Sequence, residues 1–243
     1  MIALRSVVLA FLCTLPAILD SRGLPPVSWC QQDQSYDSRR EAMVREQIAE
    51  RGVRDPDVIR AMRTVPRHLF VPTEEMPRAY EDHPLPIGYD QTISQPYIVA
   101  LMTELLQPRQ GQKFLEIGTG SGYQAAVLAE LVDTVFTIEI VGQLAAEATD
   151  RLQRLNYGNV VVRHGDGYLG WPEHAPFDGI IVTAAPEEIP QPLLEQLKEG
   201  GKMVVPTGKA WAIQTLTLVE KKNGRIISHD VAPVRFVPLT RDK

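Results

Sequence analysis

Leu115-Glu-Ile-Gly118-Thr-Gly120-Ser-Gly122 places three glycines and a carboxylate between a strand-like run and a helix-like run. Glycines so spaced permit a tight turn and let the backbone approach a bound cofactor closely. The pattern is G-x-G-x-G rather than the G-x-G-x-x-G of pyrophosphate-binding loops. Glu116 just ahead of the turn repels a pyrophosphate and suits a cationic ligand. Glu139 ends the following strand, where a carboxylate can accept from two ribose hydroxyls. Gly165-Asp166-Gly167 follows the third strand. Alone it reads as an ordinary Asp-Gly turn, but at the carboxyl end of a strand Asp166 can accept from an adenine amino group. Glu116, Gly118, Gly120, Gly122, Glu139, Asp166 and Gly167 are therefore the candidate cofactor residues. Ser94 has two readings, a reactive-site hydroxyl or a helix N-cap ahead of Pro96. No Ser-His-Asp arrangement is visible. His68, His83, His164, His174 and His229 form no metal-like pair and read as surface or loop residues, so no metal is expected.

Around these residues strands and helices alternate. Lys113–Ile117, Thr134–Ile140, Val160–Arg163, Gly179–Thr183 and Lys202–Val205 read as strands. Tyr123–Leu131, Gly142–Leu155 and Pro192–Glu199 read as helices between them. This alternation implies an α/β fold with a mainly parallel, doubly wound sheet. Trp211–Lys221 and Arg225–Val237 flank Asn223-Gly224, the signature of a type I′ hairpin, so antiparallel strands should close one edge. Upstream, Ser38-x-x-Glu41 fits a capping box for a helix that Gly52 stops, and Asp55-Pro56 opens a second. Ser94-Gln-Pro-Tyr starts a helix running to about Leu106, whereas Val65–Pro72 and Leu85–Gly88 are punctuated by proline and expected to be irregular. The arginines of residues 39–67 alternate with acids and read as a solvated helical face.

The 243 residues carry 25 Lys+Arg against 30 Asp+Glu, a net charge of −5, with 44% hydrophobic residues. That balance argues against holding nucleic acid by bulk charge. Two cysteines cannot build a disulfide framework or a zinc site. Residues 1–22 hold an apolar run from Ser6 to Leu19, short for a membrane span and similar to the apolar core of a signal peptide. It lacks a clear cleavage site, and an over-called start with Met43 near the true beginning is the rival reading. Residues 23–37 read as a linker and 38–243 as the folded domain.

Glu116-Ile-Gly-Thr-Gly-Ser-Gly-Tyr, Gly165-Asp-Gly, Pro176-Phe-Asp-Gly-Ile-Ile-Val-Thr-Ala-Ala185 and Leu197-Lys-Glu-Gly-Gly-Lys-Met-Val-Val-Pro206 resemble class I S-adenosylmethionine-dependent methyltransferases. Gln91-Thr-Ile-Ser-Gln-Pro-Tyr97, Leu85-Pro-Ile-Gly88 before it and Val234-Arg-Phe-Val-Pro-Leu-Thr240 narrow the resemblance to the protein-L-isoaspartate O-methyltransferase family, over about residues 40–240. It implies a Rossmann-like methyltransferase sheet with helices on both faces. It also implies methyl transfer from S-adenosylmethionine to the free α-carboxylate of isoaspartyl residues in damaged proteins and peptides, with repair following through a succinimide. Ser94 then matches the active-site serine, Ile93 and Val182 flank the peptide, and the glycine loop, Glu139 and Asp166 hold the cofactor. Gly142, after Glu139-Ile-Val, departs from the family pattern. Thr183-Ala-Ala-Pro186 stands where amino-directed methyltransferases carry an Asn/Asp-Pro-Pro-aromatic motif, against methylation of bases. A monomer in the cytoplasm, without stable membrane association, is expected, with the periplasm as the alternative if residues 1–22 are a signal. An NAD-dependent dehydrogenase and a non-catalytic binding protein are the competing classes, the first disfavoured by loop spacing and the second by Ser94 with an intact loop.

Overall fold

The computed structural model describes residues 27–241 apart from Trp211, with side chains from residue 35 onward. The apolar leader lies outside the described residues. The chain divides into two compact units, residues 1–38 and 39–243, and the second carries the site. Helix α1 spans Val27–Ala42. Residues 27–37 are thus helical and not linker, and Ser38 lies inside the helix and not at its cap. The reason is local, since no proline or glycine follows Pro26 until Gly52. A π-helical stretch, Met43–Ala49, continues the path and buries Met43, Val44 and Ile48. Helix α2 (Pro56–Thr64) starts as its sequence demands: the Asp55 side chain accepts from the N–H groups of Asp57 and Val58, with proline in the first turn.

Two expectations for the segment after α2 fail. Arg67 and His68 are buried, not solvated. The Arg67 guanidinium lies 5.0 Å from the Tyr123 ring centroid, and burial pulls its pKa down to about 10. His68 Nδ1 sits 2.7 Å from the Tyr80 hydroxyl. Leu85–Gly88 is also regular: it forms β1, antiparallel to β2 (Gln91–Ile93). Tyr89 and Asp90 make the turn at φ 54° and 57°, a left-handed geometry that glycine or asparagine usually signals.

The main sheet holds β3 (Lys113–Ile117), β4 (Thr134–Glu139), β5 (Val160–His164), β6 (Phe177–Val182), β7 (Leu197–Thr207), β8 (Gln214–Lys222) and β9 (Arg225–Val234), in the order β5-β4-β3-β6-β7-β8-β9. The first five are parallel and the last two antiparallel. Helices α3 (Pro96–Leu106), α4 (Tyr123–Ala129), α5 (Gly142–Arg154) and α6 (Gln191–Gln196) complete the layers. The doubly wound fold expected from the alternation is the one found. Asn223 (φ 54°) and Gly224 (φ 69°) form the expected β8–β9 turn. Helix α6 stops at Gln196, earlier than expected, because Leu197 already pairs with Phe177 and the chain bulges before rejoining at Lys202.

Side-chain alternation along the strands divides the interior. Leu115, Ile117, Ile180, Val182, Met203 and Val205 pack into one core with Leu193 of α6. Glu116 points the other way, towards Val99 of α3 and Tyr123 and Gln124 of α4. Winding order reverses between β3 and β6, and open α/β sheets bind ligands beyond the carboxyl ends of strands at such a point.

Candidate active site

The loop after β3 is held by hydrogen bonds to β4 and by one within itself. Gly118 N–H donates to Ile138 O (2.8 Å), Gly122 N–H to Thr119 O (2.8 Å) and Gly120 N–H to Glu139 Oε2 (2.7 Å). These N–H groups are turned inward and do not form a nest for a pyrophosphate, which weighs against a dinucleotide. Two glycines are required by close approach. A Cβ on Gly118 (φ +94°) would lie 2.5 Å from Thr183 Oγ1, and one on Gly167 would lie 2.4 Å from Ile117 Cγ2. They allow the ends of β3 and β6, and the loop after β5, to converge. Gly122 opens α4 against Leu152 of α5, and its role is packing.

Glu139 is 5% exposed, and its Oε1 also accepts from Val141 N–H (3.0 Å). The carboxylate therefore organises the loop while bordering the cleft. That cleft is lined by Gly118, Gly120, Glu139, Gly167, Thr183 and the C-terminal residues Val237–Thr240, among others. Asp166 stands at its margin: Oδ1 accepts from Tyr168 N–H (2.8 Å), and Arg241 Nε lies 3.8 Å from Oδ2. Gln196 supports this margin from below, donating to Leu169 O and accepting from Trp171 N–H. At Gly142 the His164 ring lies in ordinary contact range of where a Cβ would stand (3.4 Å), with Nε2 3.1 Å from Ile140 O, so nothing in the structure requires glycine there.

A second groove, of about 650 Å³, adjoins the first. Ser94, Ile98, Ile213, Pro233, Arg235 and Phe236 are among its walls. Thr92 and Thr183 border both clefts and so mark where two ligands would meet. Ser94 lies in the groove and in a small cavity beside Glu116. Gln95, not Ser94, is the N-cap residue of α3, with no side-chain cap bond. The capping reading of Ser94 is thereby set aside. Its hydroxyl has no hydrogen-bond partner among the described residues, leaving it available to a ligand.

Glu116 is 0% exposed, and Thr137 donates to its Oε2 while Oε1 is unpartnered. Burial first, then the charge of Glu139, pushes its pKa up to about 8 against the pull of the Thr137 bond. Ile93 is buried and reaches the small cavity rather than the groove. Val182 is 0% exposed in the core on the α6 side and lines neither the glycine-lined cleft nor the groove, away from its expected place beside the peptide. Its neighbour Thr183 occupies the expected place. Sequence reasoning missed Thr92, Thr183, Arg235 and Val237–Thr240 as site residues, although all of them lie inside motifs already singled out.

The residues fit a nucleoside cofactor with a cationic end: glycines where a Cβ would block convergence, a carboxylate at the end of β4, and an orphaned carboxyl oxygen in an adjoining cavity. Sheet order and site together define an S-adenosylmethionine-dependent methyltransferase. The family model for protein-L-isoaspartate(D-aspartate) O-methyltransferase matches residues 38–243, and the chain belongs to that family. It is 56% identical over 206 residues to a protein-L-isoaspartate O-methyltransferase of Opitutus terrae, covering 85% of this chain and 88% of that one. A Polaromonas relative, protein-L-isoaspartate O-methyltransferase 2, is 57% identical over 202 residues (82% and 96%). Among solved structures, one protein-L-isoaspartate O-methyltransferase superposes with a TM-score of 0.76 at 32% identity, over 82% of this chain and 65% of that chain's length. A Plasmodium falciparum chain, described as a protein-L-isoaspartate O-methyltransferase in complex with S-adenosyl-L-homocysteine, gives 0.73 at 28% identity (85% and 99%).

Proposed function

We propose that this chain methylates the free α-carboxylate of L-isoaspartyl residues in damaged proteins, with Ser94 orienting the carboxylate and the Gly118–Gly120 loop, Glu139 and Gly167 holding S-adenosylmethionine. The observation that carries this reading is the meeting of a peptide-sized groove and a glycine-lined cleft at Thr92 and Thr183, with an unbonded Ser94 hydroxyl beside them. When bound, the cofactor supplies a methyl group already made electrophilic by its sulfonium. The nucleophile is a carboxylate with a pKa near ~4, ionised at neutral pH, so no general base is needed. The protein then acts mainly by orientation and exclusion of water. Ser94 Oγ–H donates to one carboxylate oxygen and aims the other. Ile98, Pro233 and Phe236 cover the flanking peptide, and Arg235 is available to an acidic or carbonyl neighbour. An isoaspartyl carboxylate sits one methylene closer to the backbone than that of aspartate, so a groove that fixes the backbone admits only one of them to the transfer point. The methyl ester departs, and the adjacent backbone nitrogen closes a succinimide with loss of methanol.

Action as a monomer is part of this proposal. Among the described residues no helix is long and apolar enough to cross a membrane. The cytoplasm, where the cofactor is made, is the proposed place of action. A mature N-terminus between about Ser21 and Cys30 in a periplasmic fraction would overturn that. The central test is radiolabelled methyl transfer to matched peptides. Transfer to the isoaspartyl peptide and not to its aspartyl twin is expected, and equal labelling of both overturns the reading.

A further inference from the structure

Glu116 is a carboxyl without a counter-charge. It lines a cavity of about 30 Å³ with Ser94, Thr119 and Thr183, is wholly buried, and leaves Oε1 unpartnered. What faces it is known element by element. From β4 come Thr137, which donates to Oε2, and Glu139. Thr119 Oγ1 lies 2.7 Å from Thr137 Oγ1, so with Thr137 donating to the carboxyl, Thr119 donates to Thr137. Ile181 of β6 is its register partner. The β2 hairpin contributes Ile93 and Ser94, α3 Val99, and α4 Tyr123 and Gln124. The titratable neighbours are thus Glu139 and Tyr123. No lysine, arginine or histidine lines the cavity among the described residues, and Arg67 stacks on the Tyr123 ring instead.

A buried carboxylate beside a second carboxylate, with no cation in reach, is strongly disfavoured as an ion. The hydroxyl relay Thr119–Thr137 is nonetheless arranged to serve an acceptor. Both features are reconciled if the missing positive charge arrives with the cofactor. We propose that Glu116 is protonated in the cofactor-free enzyme and releases that proton when S-adenosylmethionine binds, the resulting carboxylate pairing with a positive charge of the cofactor. The O–H bond of the carboxyl breaks heterolytically, the electron pair stays on oxygen and the proton passes to buffer. The inference rests on the cofactor assignment above and adds a proton linkage to it. Binding then tightens by up to about tenfold per pH unit below about pH 8. Above it the affinity levels off if the sulfonium is the paired charge and falls if the α-ammonium is, since an α-amino group itself titrates at about 8.

The test is titration calorimetry on the whole enzyme at pH 7, in buffers of low and high ionisation enthalpy, with S-adenosylmethionine and with S-adenosylhomocysteine. Roughly one proton released per site is expected in the wild type, and Glu116→Gln should abolish the release. Release with both ligands places the paired charge on the α-ammonium. Release with S-adenosylmethionine alone places it on the sulfonium. Measurable binding with no release, or a release unchanged in Glu116→Gln, overturns the inference and leaves the cofactor assignment standing. If neither ligand binds at any pH, the assignment fails and the inference with it. Should Glu116→Gln not fold, the wild-type affinity profile decides, because a profile flat from pH 6 to 8 is incompatible with the linkage.

Discussion

At the scale of single residues, hydrogen bonding separates the two readings that Ser94 allows from sequence. A capping serine would lose stability on truncation, about 0.5–2 kcal/mol, with little effect on turnover. Ser94 does not cap, so Ser94→Ala should leave the melting temperature within a degree or two and S-adenosylmethionine affinity nearly unchanged, while kcat on an isoaspartyl peptide falls at least tenfold. Steady-state kinetics beside a thermal melt checks both halves. Glu116 gives a second residue-level expectation, in the cofactor-free protein. Its folded pKa, about 8, lies above the ordinary value of 4.5 that holds in the unfolded chain, so the stability it contributes is fully present below about pH 4.5 and is lost as pH rises through about 8. Glu116→Gln, which cannot ionise, should therefore gain on the wild type as pH rises from 5 to 8, by on the order of 2–4 kcal/mol at pH 8. Urea denaturation at the two pH values would show a pH-independent difference if the carboxyl titrates normally. Glu116 and Glu139 were legible because their positions at strand ends beside glycines carry chemical meaning. Val182 was misplaced by one residue, and the reason is the two-residue period of a strand: a shift of one exchanges core for cleft.

Among the elements, the two hairpins show what a turn reveals of itself. Asn223-Gly224 announces the β8–β9 turn because both residues tolerate positive φ at little cost. Tyr89-Asp90 adopts the same geometry without either residue, so β1 and β2 left no signal, and the prolines around them pointed to irregular chain. This hairpin delivers Thr92 to the junction of the clefts and Ser94 to the groove, and Tyr89 Oη ties its tip to Glu147 Oε1 of α5 (3.1 Å). Aspartate tolerates left-handed geometry better than most residues, and a β-branched side chain tolerates it poorly. Asp90→Val should thus cost about 1–2 kcal/mol and raise KM for the peptide, whereas Asp90→Gly should be close to neutral. Chemical denaturation of both variants is the check, and equal stabilities would mean that the turn carries no strain. Parallel strands β3 to β7 were legible for the opposite reason, since each carries a short apolar run, and β3, β4 and β6 are buried along almost their whole length.

For the whole molecule, the decisive arrangement joins residues far apart in the chain, where local sequence is silent. After β9 the chain crosses back to β6: Ala185 N–H donates to Val237 O (2.8 Å) and Leu239 N–H to Ala185 O (2.9 Å). Tyr168 Oη–H donates to Leu239 O (3.3 Å), and the Arg241 guanidinium lies 4.3 Å from the Tyr168 ring centroid while facing Asp166. Residues 237–241 are thereby strapped over the cofactor cleft by contacts to β6 and to the loop after β5. The cleft beneath measures only about 50 Å³. A nucleoside sulfonium needs a pocket of several hundred Å³, so the cleft has to widen to admit it, and the strap is one of its walls. The strap's contacts are two backbone bonds, one tyrosine bond, the Arg241–Tyr168 ring contact, the packing of Leu239 against the core and one exposed ion pair, the last contributing little in water. Opening is therefore inexpensive compared with unfolding, and closing again would retain the cofactor. Truncation after Val237 removes the Leu239 and Arg241 contacts and leaves every strand of the sheet intact. It should speed dissociation of S-adenosylhomocysteine about tenfold, equivalent to ~1.4 kcal/mol of lost retention, with a much smaller change in association rate. Arg241→Ala alone should give a fraction of that effect, reduced further at high salt, where screening has already weakened the pair with Asp166. Stopped-flow release of a fluorescent S-adenosylhomocysteine analogue measures both variants. An unchanged dissociation rate in the truncated enzyme would show that the strap rests on the cleft without controlling it.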